Sequence, residues 1–427
     1  MTDLIDKYVE YASIACDAPR IFHLACSYWI CSSLLGRFVR IVTSYAPEGL
    51  MANLWVLLVG PSRIVRKTTA QKMAEKIVEA VDPNILMSVS FTPEALYQLF
   101  NNMKKGDTVA WTKDELGGFF KMLQKRYMAG LRELLNSLYV GKGELRYLRS
   151  GVLKIPEGIY VTWIANLQTP PHEFIDEEDF YSGFMNRWIL AHATRREKTN
   201  PITFRGDDTL TAMRNEIIER YKEYIGNYDS ILPITFNTQA SQMLNDYDRL
   251  VEEEIMRLEK ENPSTLWKSY LAEAPMFLLK LSSLRRLARG PPDGLIVVVT
   301  EQDVVKASMD LKLFLDSASK VVLDVETAGR SAPLITQEKS IMKVYEIIRN
   351  AGANGISKSE LLVRTMLNRN TLNEILATLA EQEKIVAVKV QIKNKPQMRF
   401  YTAEYKYQAE MSGQVLSVDQ LKAVLKY

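Results

Sequence analysis

Residues 54–69 combine an apolar segment, a turn of small residues and a Lys-Thr-Thr triplet that opens an amphipathic segment. A strand followed by such a turn and a helix directs backbone N–H groups and the positive end of the helix to one point, where an anion can bind. The segment therefore requires a strand–turn–helix unit and predicts a phosphate site. The residues expected to line this site are Gly60, Pro61, Ser62, Lys67, Thr68 and Thr69.

The chemistry expected at this turn is that of nucleotide binding. Lys67 would contact the β- and γ-phosphates of ATP, and the hydroxyl of Thr68 or Thr69 would hold Mg²⁺. The turn departs from the usual pattern G-x-x-x-x-G-K-[ST], because Arg66 precedes the lysine and Gly60 stands one position too early. An ordinary strand–turn–helix connection, with a lysine that only begins the helix, explains the same residues.

Two further apolar segments end in polar residues that suit ATP hydrolysis. Residues 107–115 predict a buried strand that ends in Asp114 and Glu115, of which the first would hold Mg²⁺ and the second would polarise the attacking water. Residues 158–166 predict a third strand, and its final Asn166 could orient that water. Taken singly, an Asp-Glu pair is typical of a solvated loop, and an asparagine equally suits turn geometry.

Arg187 is the fourth candidate residue. It follows an acidic stretch, residues 176–179, and lies among bulky apolar residues, which suits either a salt-bridged scaffold residue or a finger presented to a neighbour's phosphate. The lysine turn, acid pair, polar strand end and arginine come in the order found in AAA+ ATPases, at spacings that fit a core of roughly two hundred residues. This order favours the interpretation that the four features form one site for nucleotide hydrolysis over the interpretation that they are unrelated.

Ordered blocks between residues 5 and 200 also resemble a known family. The blocks are residues 11–24, 54–69, 91–96, 126–130, 138–139 and 182–187. They resemble the DUF3987 proteins, which are ATPases of phages, plasmids and other mobile elements and are similar in turn to minichromosome-maintenance (MCM) helicases. The resemblance implies an AAA+ P-loop core, with ATP and Mg²⁺ as ligands. It assigns the lysine, metal, base, sensor and finger roles to Lys67, Asp114, Glu115, Asn166 and Arg187, respectively.

Composition indicates the number of domains and the compartment. The 427 residues, 47% hydrophobic and 25% charged, suffice for two to four domains. The net charge of +3 is small, so nucleic-acid binding would have to come from local patches. Cys16, Cys26 and Cys31 show no paired spacing and predict reduced core residues of a cytoplasmic protein.

Neither a zinc site nor a membrane anchor is expected. The three histidines, His23, His172 and His192, form no ligand cluster with cysteine. The longest apolar run, residues 21–36, is too short to span a bilayer and predicts a buried helix.

The pattern along the chain predicts an α/β fold built around an AAA+ core. The predicted parts are a helical N-terminal extension (1–50), the α/β ATPase core (51–205), a helical lid (206–330), a winged helix (331–405) and a loose tail (406–427). Residues 328–333, with glycine, serine and proline, predict a linker. Among Lys280, Arg285 and Arg286 in the lid, one could contact nucleotide as a second sensor, although a solvated helix face explains them as well.

The winged-helix prediction rests on three helical segments followed by two strands. The helices are expected over 337–350, 357–363 and 369–382, and the strands over 385–392 and 398–402. The third helix would face the DNA major groove, and Lys393 and Lys395 in the turn between the strands would contact phosphate. A protein-interaction module is the alternative, since the third helix also carries Glu374 and Glu381.

The strongest local charge bias lies between residues 121 and 154, with eight basic residues against two acidic ones. MCM-like ATPases insert channel-lining hairpins at this point of the chain. Lys142, Arg146 and Arg149 are predicted to contact DNA there, with Tyr139 and Tyr147 in a mobile loop that grips a strand by stacking. A solvated basic helix and turn is the alternative.

The function predicted from these features is that of an ATP-driven DNA helicase of MCM-like type. It would assemble as a ring, expected to be a hexamer, because a finger supplied to a neighbour implies a repeating head-to-tail interface. It would act in replication of a mobile element. One alternative is an AAA+ switch that binds DNA without unwinding it, such as an initiator, loader or transposition regulator. Another is a non-catalytic DNA-binding scaffold.

Overall fold

The computed structural model describes residues 3–88, 99–124, 130–148, 151–199, 208–292, 294–365, 367, 369–392 and 395–425. Side chains are described except at 144–148, 151–154, 329–340, 392 and 395–396. The chain divides into two compact units, Met1–Gly329 and Arg330–Tyr427. The predicted sites at Arg149 and Lys393 and the segments 91–96 and 126–129 lie outside the described residues, as do the side chains of Arg146, Tyr147 and Lys395.

The first unit contains helices and strands in alternation. In chain order they are α1 (Leu4–Ala15), α2 (Arg20–Leu34), β1 (Val39–Ile41), β2 (Trp55–Val59), α3 (Lys67–Val81), β3 (Leu86–Ser88), β4 (Thr108–Lys113), α4 (Gly117–Leu123), α5 (Leu131–Tyr139), β5 (Glu144–Leu148), β6 (Gly151–Ile155), β7 (Tyr160–Leu167), α6 (Glu177–Tyr181), β8 (Trp188–His192), α7 (Asp208–Ile225), β9 (Leu232–Phe236), α8 (Thr238–Glu261), α9 (Leu266–Leu271), α10 (Ala274–Arg289), β10 (Val297–Val299) and α11 (Glu301–Ala351).

A five-stranded parallel sheet lies at the centre of this unit, in the order β3-β4-β7-β2-β8. Numbered by chain order within the sheet, the strands run 2-3-4-1-5. Both β2 and β7 are buried along their whole length, as expected for apolar strands covered on both faces. Helix α2 packs across β2, β7 and β8. The predicted α/β class with a largely parallel sheet is confirmed.

A row of four tryptophans crosses this sheet. Trp111, Trp163, Trp55 and Trp188 are register partners on neighbouring strands, and all four side chains are buried. Their ring centroids lie 5.2, 5.4 and 5.3 Å apart along the row. Edge-to-face aromatic pairs contribute about 0.5–1.5 kcal/mol each beyond the burial of their area. The row therefore fixes the register of the four strands.

A second, three-stranded parallel sheet has the order β1-β9-β10. Its first strand belongs to the predicted N-terminal extension, whereas the other two belong to the predicted lid. The extension and the lid therefore share a sheet. The short strand expected near residues 295–299 of the lid is present as β10, whereas β9 was not predicted.

The three basic residues of α10 are buried, with 3–7% of Lys280, Arg285 and Arg286 exposed. Arg285 pairs with Asp3 at 2.9 Å and Asp310 at 2.5 Å, which ties α10 to both ends of the unit's chain. Arg286 donates to the carbonyl oxygen of Val298 at 3.2 Å. The alternative of a solvated helix face is therefore wrong, because these cations bind partners inside the fold, and the second sensor stays a prediction.

The predicted linker at 328–333 is helical, since α11 runs through it from Glu301 to Ala351. The second unit continues with β11 (Ile356–Ser357), α12 (Lys358–Thr365), α13 (Arg369–Glu381), β12 (Ile385–Ile392), β13 (Lys395–Thr402), α14 (Lys406–Ser412), β14 (Gln414–Val415) and α15 (Val418–Leu425). Helices followed by an antiparallel β12–β13 hairpin match the predicted order of elements. Identification as a winged helix stays a prediction.

The prediction of a loose tail is wrong. Strand β14 pairs with β12, and α15 packs on α13 with Leu421 and Leu425 buried in the core of the unit. Lys422 of α15 also pairs with Glu381 of α13. These residues belong to the folded second unit.

No helix within the described ranges combines the length and the apolar character that crossing a bilayer requires. All three cysteines are buried and none is in a disulfide.

Candidate nucleotide site

The carboxyl ends of β2, β7, β4 and β8 meet at one edge of the central sheet. Strand β2 lies between β7 and β8, with Val59 level with Leu167 on one side and His192 on the other. The chain leaves β2 toward one side of the sheet and later places β8 on the other side, so β2 borders the point where the strand order reverses. Ligands of open α/β sheets bind outside the carboxyl ends of the strands at such a point.

The lysine turn occupies this position. Gly60 directly follows β2, and a Cβ atom at Gly60 would overlap the carbonyl oxygen of Ala193, so the turn passes too close to the segment after β8 for a larger residue. Arg63 and Arg66 adopt the left-handed conformation, with φ of 63° and 55°. Helix α3 begins at Lys67 and has 15 residues, and the free N–H groups of its first turn point toward the lysine turn.

Lys67 lies inside the turn and is 7% exposed. Its Nζ donates a hydrogen bond to the carbonyl oxygen of Gly60. Burial lowers the pKa of this ammonium below its usual value, and the Glu115 carboxylate acts in the opposite direction. A cation held inward at a helix N-terminus fits a phosphate group, because the phosphate can replace the carbonyl as acceptor.

Asn166 connects the turn to the acid pair. Its Nδ2 donates to Thr68 Oγ1 at 3.4 Å, and its carbonyl oxygen accepts from the N–H of Leu116 at 2.9 Å. The residue is fully buried, yet its Oδ1 has no hydrogen-bond partner. Since buried amide oxygens are normally satisfied, this acceptor fits a water or a ligand group beside the turn.

The two acidic residues differ in their surroundings. Glu115 is half-buried, and its Oε1 accepts from the N–H of Gly117 at 3.1 Å, which orients the carboxylate. Asp114 is exposed, with Lys72 of α3 3.9 Å away. An exposed pair at this distance is weak and leaves the carboxylate available.

The other predicted phosphate-lining residues are at the surface of the turn. Ser62, Thr68 and Thr69 are exposed and Pro61 is half-buried. The structure therefore brings Lys67, Thr68, Glu115 and Asn166 together. Asp114 lies beside Lys72, which is further along α3.

Arg187 lies at the opposite edge of the sheet. It precedes β8, which is parallel to β2, so about 17 Å of strand separates it from the edge that carries Lys67. Its Nη1 donates to the carbonyl oxygen of Gly183, and its Cζ is 5.9 Å from the centre of the Tyr139 ring. The structure does not bring Arg187 to the lysine turn of its own chain.

Asp17 is a residue of this region that the sequence did not reveal. It lies between α1 and α2, is 5% exposed, and accepts from Arg66 Nε at 3.1 Å and from Arg196. Burial raises the pKa of this carboxyl, but the arginine contacts prevail and lower it below its usual value. Asp17 thus ties the lysine turn to the segment after β8, a contact that no local pattern indicates.

A hairpin is present in the basic stretch as β5 and β6, which pair from Glu144 with Ile155 to Leu148 with Gly151, and its role in a channel stays a prediction. Lys142 at its base is exposed. Tyr139 contradicts the prediction of a strand-gripping residue, because it is 5% exposed and packs against Trp55. Arg132 is also part of the scaffold, since its Nε donates to Asp179 Oδ1 at 2.7 Å.

No group of three or more histidine, cysteine, aspartate or glutamate side chains that could hold a metal occurs within the described residues. Mg²⁺ bound with ATP needs few protein ligands, because phosphate oxygens and water supply the rest. Thr68 and Asp114 are suitable oxygen donors for that arrangement.

No protein-family model matches the chain, and no curated protein matches it either. Membership of the DUF3987 family therefore stays a prediction. Among solved structures, the chain is similar to one described as "SCCmec type IV Cch - active helicase", at 13% identity and a TM-score of 0.39. The match covers 95% of this chain and 71% of that one.

Proposed function

We propose that this chain is an ATP-driven DNA helicase or translocase of the MCM-like AAA+ type, which assembles as a ring. The observation that carries the proposal is the meeting of Lys67, Thr68, Glu115 and Asn166 outside the carboxyl ends of neighbouring parallel strands. A phosphate-binding cation, a hydroxyl, a carboxylate and an unsatisfied amide oxygen at one sheet edge form a set suited to phosphoanhydride hydrolysis.

In the proposed reaction, Lys67 and the N–H groups of α3 bind the β- and γ-phosphates. Glu115 accepts a proton from the attacking water, and Asn166 Oδ1 orients that water. Mg²⁺, held by Thr68 and Asp114, would neutralise charge on the phosphates. Arg187 would reach the γ-phosphate of a neighbouring subunit, because its own lysine turn is at the other edge.

Support for action on DNA comes from the hairpin β5–β6 and the second unit. The hairpin leaves the sheet at its amino edge, where Gly158 N–H donates to Gly141 O at 2.8 Å. The second unit carries helices followed by an antiparallel hairpin, an order that suits DNA contact. Replication of a mobile element remains the expected setting.

The nucleotide site is tested by two substitutions and a control. Lys67→Ala should weaken ATP binding about 10- to 100-fold, since it removes a charged hydrogen bond to phosphate. Glu115→Gln should bind ATP normally but turn over about 100-fold or more slowly, because the glutamate acts only on the water. Lys76→Ala, an exposed lysine of the same helix, should change neither. Equal turnover by wild type and Glu115→Gln would remove Glu115 from the base role.

The DNA part is tested separately with Lys142→Ala. Loss of one phosphate contact should reduce the log–log salt dependence of single-stranded DNA binding by about 0.7. The measurement is a salt titration of DNA affinity together with DNA-stimulated ATPase rates. An unchanged slope would leave the second unit as the candidate DNA contact and favour an ATP switch over a translocase.

A further inference from the structure

Arg187 and the base of the hairpin are joined by a single buried ring. Tyr139 is the last residue of α5, two positions before Gly141, which has a φ of 68° at the start of the hairpin. Arg187 Cζ lies 5.9 Å from the centre of this ring, within the range of cation–π attraction. The ring is thus the contact between the hairpin segment and the arginine.

The ring is held in place from three directions. Trp55 packs edge-on at a centroid distance of 5.1 Å, and Lys280 Nζ lies 3.9 Å from the ring centre. The carbonyl oxygen of Tyr139 accepts from Asn53 Nδ2 at 2.8 Å, and Asn53 in turn accepts from Lys280 at 2.9 Å. Because these groups are buried, the ring offers Arg187 a fixed surface.

Gly183 holds the arginine from its other side. Its carbonyl oxygen accepts from Arg187 Nη1, and its φ is +73°. A Cβ atom at Gly183 would lie 2.8 Å from that Nη1. Among the described residues, the Gly183 carbonyl oxygen and the Tyr139 ring are therefore the contacts that orient the guanidinium, and the ring is the one next to the hairpin.

We propose that Tyr139 is a positioning residue that orients Arg187 for the neighbouring subunit's nucleotide. This inference rests on the proposed function, since it takes Arg187 as the finger. A finger that acts in the transition state affects kcat more than KM.

The experiment compares Tyr139→Phe, which keeps the ring, with Tyr139→Leu, which removes it. With single-stranded DNA present, Tyr139→Leu should lower kcat about fivefold, equivalent to about 1 kcal/mol, with KM for ATP unchanged. Tyr139→Phe should retain the wild-type kcat. Combining Tyr139→Leu with Arg187→Ala should cause no loss beyond that of Arg187→Ala alone, because the ring acts only through the arginine.

The outcomes separate this inference from the proposed function. A wild type without ATPase activity would overturn both. An active wild type overturns the Tyr139 inference alone if Tyr139→Leu keeps its kcat, if Phe and Leu are equally impaired, or if the losses of Tyr139→Leu and Arg187→Ala multiply. Should Tyr139→Leu fail to fold, Tyr139→Met, which also removes the ring, takes its place, and a wild-type kcat in that variant would count against the inference.

Discussion

The residue before the lysine adopts a backbone conformation that arginine disfavours. Arg66 has φ 55° and ψ 33°, in the left-handed region, where an L-residue is about 1–2 kcal/mol less stable than glycine. Its guanidinium pairs with the buried Asp17, which offsets part of this cost. The position usually held by glycine is therefore occupied by an arginine whose backbone is strained and whose side chain forms a tertiary ion pair.

Two substitutions separate these effects at Arg66. Both Arg66→Gly and Arg66→Ala remove the ion pair, but only alanine keeps a Cβ in the left-handed region. We expect Arg66→Gly to be more stable than Arg66→Ala by about 1 kcal/mol in urea unfolding. The same comparison at Arg63, with φ of 63°, serves as a control and should give a difference of the same sign. Equal stabilities at both positions would show that the turn relaxes freely.

Lys280 predicts a pH dependence of stability. Burial lowers its pKa to about 7, with Glu273 raising it and Arg187 lowering it further. Between pH 7 and about 10 the unfolded chain binds a proton at this lysine that the folded chain does not, so stability rises with pH by up to about 1.4 kcal/mol per unit. The contribution is fullest above the unfolded pKa and falls as pH decreases toward 7.

Substitution of Lys280 by methionine should remove this slope. Urea unfolding at pH 7, 8 and 9 should show wild type gaining stability relative to Lys280→Met as pH rises. Lys76→Met, at an exposed lysine, should keep the wild-type slope. Parallel pH profiles for wild type and Lys280→Met would mean that Lys280 stays charged in the fold.

At the scale of elements, α15 is expected to hold the second unit together. Leu421 is 1% exposed and lies in the core, whereas Val424 of the same helix is 38% exposed. Leu421→Ala should destabilise the unit by about 2–4 kcal/mol, because it leaves a cavity. Val424→Ala should cost less than about 1 kcal/mol. The measurement is thermal unfolding. If both substitutions lower stability by a similarly small amount, residues 406–427 would be a tail after all.

Elements that could be predicted from the sequence are those whose signal is local. Strand β2 is an uninterrupted apolar run, β7 is apolar except for Thr162 and Asn166, and the lysine turn has its own pattern, so the sequence predicts all three. Strand β9 was not predicted because it is short and contains Pro233. It is recognisable as a strand only from its pairing with β1, which is far away in the chain. Helix α15 was missed for the same reason, since its buried face exists only against α13.

The candidate site follows the same rule. Lys67, Glu115 and Asn166 were predictable because each lies at or beside the end of an element, and parallel strands bring such ends to one edge. The role of Asp17 was not predictable, because it consists of ion pairs with Arg66 and Arg196, which approach it from two other segments. The burial of Lys280 and Arg285 was also hidden, since basic residues on a helix normally face water.

At the scale of the whole molecule, each chain holds a lysine turn and an arginine at opposite edges of one sheet. If Arg187 serves a neighbour, Arg187→Ala and Lys67→Ala should each lose ATP hydrolysis but recover part of it when mixed. In a random one-to-one ring, roughly a quarter of interfaces would pair an intact lysine with an intact arginine. ATPase rates of the mixture would measure this recovery.

The control is the same mixture under conditions that prevent exchange of subunits, which should stay inactive. Mixed assemblies that form, as shown by differently tagged chains, but remain inactive would assign Arg187 to the scaffold instead. Its contacts with Gly183 and Tyr139 would then explain its place.

The tryptophan row gives the chain an optical property. Trp163 lies within 5.4 Å of Trp55, Trp111 and Trp188, between ring centroids, so excitation absorbed by one indole passes readily to the others. The four indoles therefore give a collective signal of the sheet that carries the lysine turn, beside that of the buried Trp29 of α2. Any slippage between these four strands would change the anisotropy and colour of the emission, without a label attached to the protein.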